Sequence, residues 1–411
     1  MLGSLAAILL PLWLAIPHRI VVGPGETTPT LTSALRLARP GDTIIVRPGA
    51  YREPRLVVTV PLTILGDPGA ILDGSGSHEV ITVRADSVTI RGLTIRNVGY
   101  SYTEDRAGIR LERVRDCLIA DNTLLDTFFG IYAERSSHCT VSGNLIVGTR
   151  RSQTSSGNAI HLFYSDRFTI AGNRIRSHRD GVYLEFSRGA EIVDNDSRAN
   201  ARYGLHFMFS DSCTYRRNTF AANASGVAVM YSRWVVMTDN RFENNWGMAA
   251  YGLLLKEIKD SRVTDNLIAG NTVGLFIEGS DRIVVERNQL LRNGWAMRLL
   301  ANATGNEFYR NRFAGNTFDV STNSQASSPS VFRENYWDAY GGYDLDRDGY
   351  GDVPFRPVRL FSLLVEQSKP SLILLHSFFL DLLEVAERVA PVLTPEALVD
   401  TRPLMRWHAR S

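Results

Sequence analysis

The sequence predicts an all-β chain wound as a right-handed parallel β-helix of about ten rungs, and three observations predict it. First, asparagine returns at Asn122, Asn144, Asn173, Asn195, Asn218, Asn240, Asn266, Asn288 and Asn311, at nearly even intervals with two longer steps. Second, a G-apolar-x-apolar segment begins at one fixed distance ahead of most of these asparagines, at Gly108, Gly130, Gly181, Gly204, Gly226, Gly252 and Gly274. Third, the segments between them alternate with period two and carry no helical period. Self-similarity at a period of roughly 22 residues, with strand-like alternation, is the mark of a solenoid. Asparagine suits the repeated turn because it tolerates the left-handed conformation, and its amide can bond up and down the stack.

Taken in order, residues 1–16 form an apolar, signal-like segment (LGSLAAILLPLWLAI after Met1), too short to span a membrane comfortably and suited to export. Residues 24–325 read as the β-helix with its N-terminal cap. TLTSALRLARPGD, which begins within 24–41 and ends at Asp42, has the apolar spacing of a short amphipathic helix ending at Pro40-Gly41, suited to cover the open end of a solenoid. TIIVRPGAYRE and LTILGDPGAIL follow as first strands, and repeats run from about 78 to 322. Rungs lengthened at 150–158 and 246–252 predict loops on one face. Residues 326–369 are loop-rich. There Asp344, Asp346 and Asp348 before Gly349 resemble the start of a calcium loop, but Phe355 stands where an EF-hand needs glutamate, and a metal-free Asx-turn cluster fits equally well. Residues 370–411 hold an apolar helix at 370–390 and an extended tail. That helix must seal the solenoid or dock on a partner, with Leu372, Leu374, Leu375, Phe378, Phe379, Leu380 and Leu383 as docking residues.

Forty-five Lys and Arg against 43 Asp and Glu leave a net charge of +2, and no basic run is interleaved with aromatics, which argues against nucleic acid as a partner. Three cysteines cannot build a full disulfide framework. Cys117, Cys139 and Cys213 share a column with Phe168, Ala190, Val235 and Ile283, so they read as small apolar fillers of the interior.

Alternation assigns the faces of each rung. Val182, Leu184 and Phe186 point in, as do Leu205, Phe207 and Phe209, Val227 and Val229, and Ile160 and Leu162. That leaves His161, Tyr183, Glu185, His206, Met208, Ala228 and Met230 outside. His206 and Met208 lie roughly 6.6 Å apart along one strand, and Met208 and Met230 roughly 4.8 Å apart on neighbouring rungs. An imidazole with two thioethers favours Cu(I) over zinc, calcium or magnesium. His161, two rungs from His206, flanks this set with Tyr183 and Glu185. Three ligands on an open face would bind loosely, as suits a carrier. The competing reading is that a loop or partner covers the face and these side chains merely pack there.

Parallel β-helices of this pectin-lyase-like type often cleave or epimerise acidic polysaccharides, and outward Arg110, Glu112, Tyr132, Glu134, Glu185 and Glu278 keep a polysaccharide-active enzyme as the alternative. No Asp-Asp pair followed by His-Gly and no Asp-Pro-His-Glu run is present, however, so nothing in the sequence selects catalysis.

GNAIHLF (157–163), RDGVYLEFS (179–187), RYGLHFMFS (202–210), VAVMYS (227–232), YGLLLK (251–256), NYWDAYGGYDLDRDGYGDVPF (335–355) and the closing DTRPLMR together resemble the NosD family. The HLF and HFMFS rungs and the RPLMR tail are the specific part, since other β-helix proteins share the Asn turns and the NYW-to-GDVPF stretch. The resemblance implies a non-enzymatic, exported component of an ABC-type complex that handles copper for maturation of nitrous oxide reductase. It implies an ABC permease with its ATPase, a copper lipoprotein chaperone and the reductase as partners. Membrane contact is then made through the permease, with the 370–390 helix as docking element and His206, Met208 and Met230 as transient Cu(I) ligands. The chain departs from the family in lacking a charged start to the signal segment, and in a short loop where some members have a long one.

Overall fold

The computed structural model describes residues 18–101, 103–149, 156–247, 250–324, 329–375, 377–389 and 397–407. The signal-like segment 1–16 lies outside them, as does most of the loop expected at 150–158. Each rung contributes one strand to each of three parallel sheets, which among the described residues hold 14, 12 and 13 strands. About thirteen turns therefore replace the ten expected, because the rungs before residue 78 lack both the Asn and the Gly signal that the count was read from. The Gly ladder follows from rung spacing: a Cβ on Gly226 would lie 2.3 Å from the carbonyl oxygen of Gly252 on the next rung.

The core is the inside of the coil, a continuous apolar column in which Ile, Leu, Val and Phe stack rung on rung. Cys117, Cys139 and Cys213 are buried there as free thiols. Along one corner the asparagines bond head to tail. Asn195 donates its backbone N–H and its amide to Asn218 Oδ1, both at 2.9 Å, and Asn218 donates to Ile192 O at 2.9 Å. This polar spine runs from Asn122 to Asn335. The left-handed residue of the turn is not the asparagine but the one before it, as at Asp194, Arg217, Asp239 and Asp265. Asparagine is selected by its amide, and its neighbour carries the backbone strain. A second spine, Asn200, Asn223, Asn245, Asn271, Asn293 and Asn316, lies five residues beyond the first on each rung.

Both ends are closed. Helix α1 (Leu31–Leu37) starts at Thr30, buries Leu31 and Ala34 over the first rungs, and has its N-terminal N–H groups held by Glu53 at 2.8 Å. At the other end Asp400, from the tail, takes the place of the next asparagine: its Oδ2 accepts from Asn335 N (3.1 Å), Asn335 Nδ2 (2.9 Å) and Trp337 Nε1 (3.0 Å). Arg402 reaches Asp348 at 2.7 Å and stacks over Tyr350. The tail is thus a cap. In the acidic loop, oxygens of Asp344, Asp346 and Asp348 lie within 4.8 Å of one another and accept the N–H groups of Asp348, Gly349 and Tyr350.

The single helix expected at 370–390 is broken. Helix α2 (Leu360–Gln367), inside the segment read as loop, is followed by a 3-10 turn (Lys369–Leu374) and helix α3 (Phe378–Val389). No described helix is long and apolar enough to cross a membrane. Of the seven docking residues, Leu375, Leu380 and Leu383 instead pack on Phe318, Phe361 and Val365 of the chain itself. Leu372, Leu374, Phe378 and Phe379 are exposed, Phe378 by 80%.

Candidate metal site on the outer face of the coil

The site lies on the outer face of the twelve-stranded sheet, where parallel pairing fixes its columns. Tyr132, His161, Tyr183, His206 and Ala228 pair in succession, and beside them run Glu134, Phe163, Glu185, Met208, Met230, Lys256 and Glu278. The register inferred from the two ladders is the one observed.

Two expectations about direction are corrected. Phe186 and Phe209 do not point in: they are 38% and 45% exposed, because the chain enters the left-handed region there (φ 53° and 52°) and the alternation ends one residue early. Their rings join Tyr164 and Tyr231 in an outer stack with centroids 4.8–5.1 Å apart. The face is also not open at the histidines. His206 and His161 leave the coil as expected, yet are only 2% and 7% exposed, because aromatic rings cover them. Tyr203 tilts over His206 at 4.8 Å, and Phe129 and Tyr132 lie beside His161. Tyr183 stands between the two imidazoles, 4.7 Å from His161 and 4.6 Å from His206, and so keeps the two rings apart.

Met208 and Met230 remain partly exposed, on adjacent strands in direct register. The Tyr183 hydroxyl donates to Met208 Sδ at 3.6 Å, and burial raises its phenol pKa, which keeps that proton in place. His206 has neither ring nitrogen hydrogen-bonded, and His161 Nε2 likewise makes no hydrogen bond, its nearest charged neighbour being Glu185 Oε2 at 3.9 Å. Asp180, fully buried in the turn before the His-flanking strand, brings Oδ2 to 3.7 Å from His206 Nδ1. Buried polar atoms are almost always paired, so unpaired imidazole nitrogens on a sheet face that also carries Met208 and Met230 fit a soft metal ion. Asp180 was missed from the sequence. Its only signal was its place directly before Gly181 of the glycine ladder.

Burial pushes His161 down to about 3, with the Asp180 carboxylate opposing. The folded ring stays neutral while the unfolded one protonates below about 6.5, so this histidine's contribution to stability is complete above about 6.5 and is lost as pH falls toward 3. NMR of the His161 ring is expected to show no titration between roughly pH 5 and 8. An inflection there would mean that the ring is solvated.

Residues 69–155 and 148–343 match the family described as periplasmic copper-binding protein (NosD). A Pseudomonas aeruginosa protein named probable ABC transporter binding protein NosD is 32% identical over 372 residues, covering 86% of each chain. A Stutzerimonas stutzeri protein of the same name is 29% identical over 404 residues, covering 93% of this chain and 92% of that one. Among solved structures, the A-module of Azotobacter vinelandii mannuronan C-5 epimerase AlgE6 superposes with a TM-score of 0.60 at 12% identity, over 73% of this chain and 91% of that one. A Yersinia enterocolitica family 28 exopolygalacturonase gives 0.58 at 13%, over 75% and 78%. Likeness at that identity reflects the β-helix alone. The sequence matches reach further, and on them the chain belongs to the NosD family of periplasmic copper-binding proteins.

Proposed function

We propose that this protein is a non-enzymatic, exported carrier within an ABC-type complex, holding Cu(I) as cargo for assembly of nitrous oxide reductase. The observation that carries this reading is the pair of unbonded nitrogens on buried His206, on the strand and face that also carry Met208, with Met230 paired to Met208 on the next rung. The soft donors are graded in depth. Met208 and Met230 meet the surface, where a copper lipoprotein chaperone would present the ion, and His206 lies behind them. Thioethers bind Cu(I) with no proton to displace, so an ion can move between surface and interior without a deprotonation step. His161, behind Tyr183, flanks the path. The exposed Leu372, Leu374, Phe378 and Phe379 are the surface offered to an ABC permease, which with its ATPase would tie the protein to the membrane. Calcium at Asp344, Asp346 and Asp348 would brace the end cap, remote from the copper path.

The test is Cu(I) competition with a chromogenic chelator on wild type and His206→Ala/Met208→Ala/Met230→Ala. The expected result is a loss beyond ~100-fold, more than removal of an outer-sphere partner costs. Equal affinities would overturn the assignment of ligands. Turnover of a uronic-acid polymer, lost in Glu185→Gln, would replace the carrier by an enzyme.

A further inference from the structure

Asp180 is a buried carboxylate beside the copper path that the path itself does not use. It is fully buried, and its Oδ1 accepts the backbone N–H of Tyr203 at 3.2 Å, which ties it to the strand that carries His206. Oδ2 has no hydrogen-bond partner. It faces His206 Nδ1 at 3.7 Å on one side and Arg179 Nε at 3.8 Å on the other. An ionised carboxylate without a full set of partners is costly to bury, and a packed rung has little reason to keep one. Two rings hold the His206 imidazole beside this carboxylate: Tyr183 stacks on it at 4.6 Å and Tyr203 leans on it at 4.8 Å.

From this geometry we infer that Asp180 is the positioning residue of the copper site: it draws the ring proton of His206 onto Nδ1 and so leaves the Nε2 lone pair free for the ion. The inference rests on the assignment of His206 as a ligand. A small side-chain rotation closes 3.7 Å to hydrogen-bonding distance, with Nδ1–H as donor and Oδ2 as acceptor. A carboxylate held behind a histidine fixes its tautomer and orientation and raises the basicity of the other nitrogen, which strengthens the bond to a metal. Asp180 touches no cargo. It acts only through the imidazole.

The experiment uses the full chain and two readouts. Long-range proton–nitrogen NMR of the metal-free protein reads the His206 tautomer, and chelator competition reads Cu(I) affinity. Asp180→Asn is nearly isosteric and keeps an oxygen for Tyr203 N–H. It is expected to convert His206 from the Nδ1–H form toward Nε2–H and to weaken Cu(I) binding by ~10–100-fold. In a His206→Gln background the same change is expected to cost nothing further, the non-additivity of a residue that works through another. A tautomer unchanged in Asp180→Asn would overturn the positioning role, while a loss of affinity in His206→Gln alone would leave the ligand assignment standing. If the tautomer changes and neither Asp180→Asn nor His206→Gln alters Cu(I) affinity, the ligand assignment fails, and with it the role of Asp180 toward the ion.

Discussion

Replacing Asn218 by alanine is expected to cost about 3–5 kcal/mol, as large as the loss of a big core side chain. The side chain accepts the N–H and amide of Asn195 and donates to Ile192 O, Arg216 O and Asn240 Oδ1. Truncation leaves donors and acceptors of two neighbouring rungs buried and unpaired, each costing about 1–3 kcal/mol. Because a solenoid holds together through nearest neighbours, the loss concentrates at the middle rungs. Hydrogen exchange should therefore show protection collapsing around residues 192–240 first. The control is Arg217→Ala, one residue away. Its bidentate pair with Asp194 is exposed and solvent-screened, and its removal is expected to leave stability nearly unchanged. Equal effects in the two variants would mean that the spine is decoration on a stack held by its apolar core.

The second large effect is at the end of that spine. Asp400→Ala removes one acceptor from three buried donors, on Asn335 and Trp337, and is expected to cost about 3–5 kcal/mol and to loosen the tail. Asp400→Asn keeps the oxygen and should restore most of it. Burial pushes the Asp400 carboxyl above the ordinary carboxylate range, outweighing the hydrogen bonds that pull it down. The folded protein therefore keeps this proton to higher pH than the unfolded chain does, and stability falls as pH rises through the window between the two values. Asp400→Asn removes that fall. Melting curves of the two proteins should diverge across the acid range in the variant's favour as pH rises, and parallel curves would show that the carboxyl is solvated.

The sequence carried the architecture because each rung repeats the same physical demands. A glycine stands where two backbones touch, an amide where a turn must bond to its neighbours, and apolar residues at every second position between. The same residues set the register, so the columns through His161, Tyr183, His206 and Ala228 and through Glu185, Met208 and Met230 could be read before any coordinates. Three things were hidden. The direction of Phe186 and Phe209 depends on a left-handed turn that alternation cannot see. The cover over His206 comes from Tyr203, which a period-two pattern places only on a face and not over a neighbour. The role of DTRPLMR depends on Asp400 meeting Asn335 across 65 residues of chain, a contact with no local signature. The second Asn spine was a different kind of omission: its constant offset of five residues was present in the sequence.

Arg298, on the same outer face as His206, pairs with Glu366 of α2, and Phe318 of that sheet packs against Phe361. The strand carrying His206 and Met208 and the strand beneath α2 are thus members of one sheet, five steps apart. At roughly 4.8 Å per step the two are about 24 Å from each other. Such a sheet is a ruler. The separation between the proposed ion site and the exposed leucines and phenylalanines of the C-terminal segment is set in whole rungs. It can change only by gain or loss of an entire repeat, so the reach between these two surfaces is inherited in quanta.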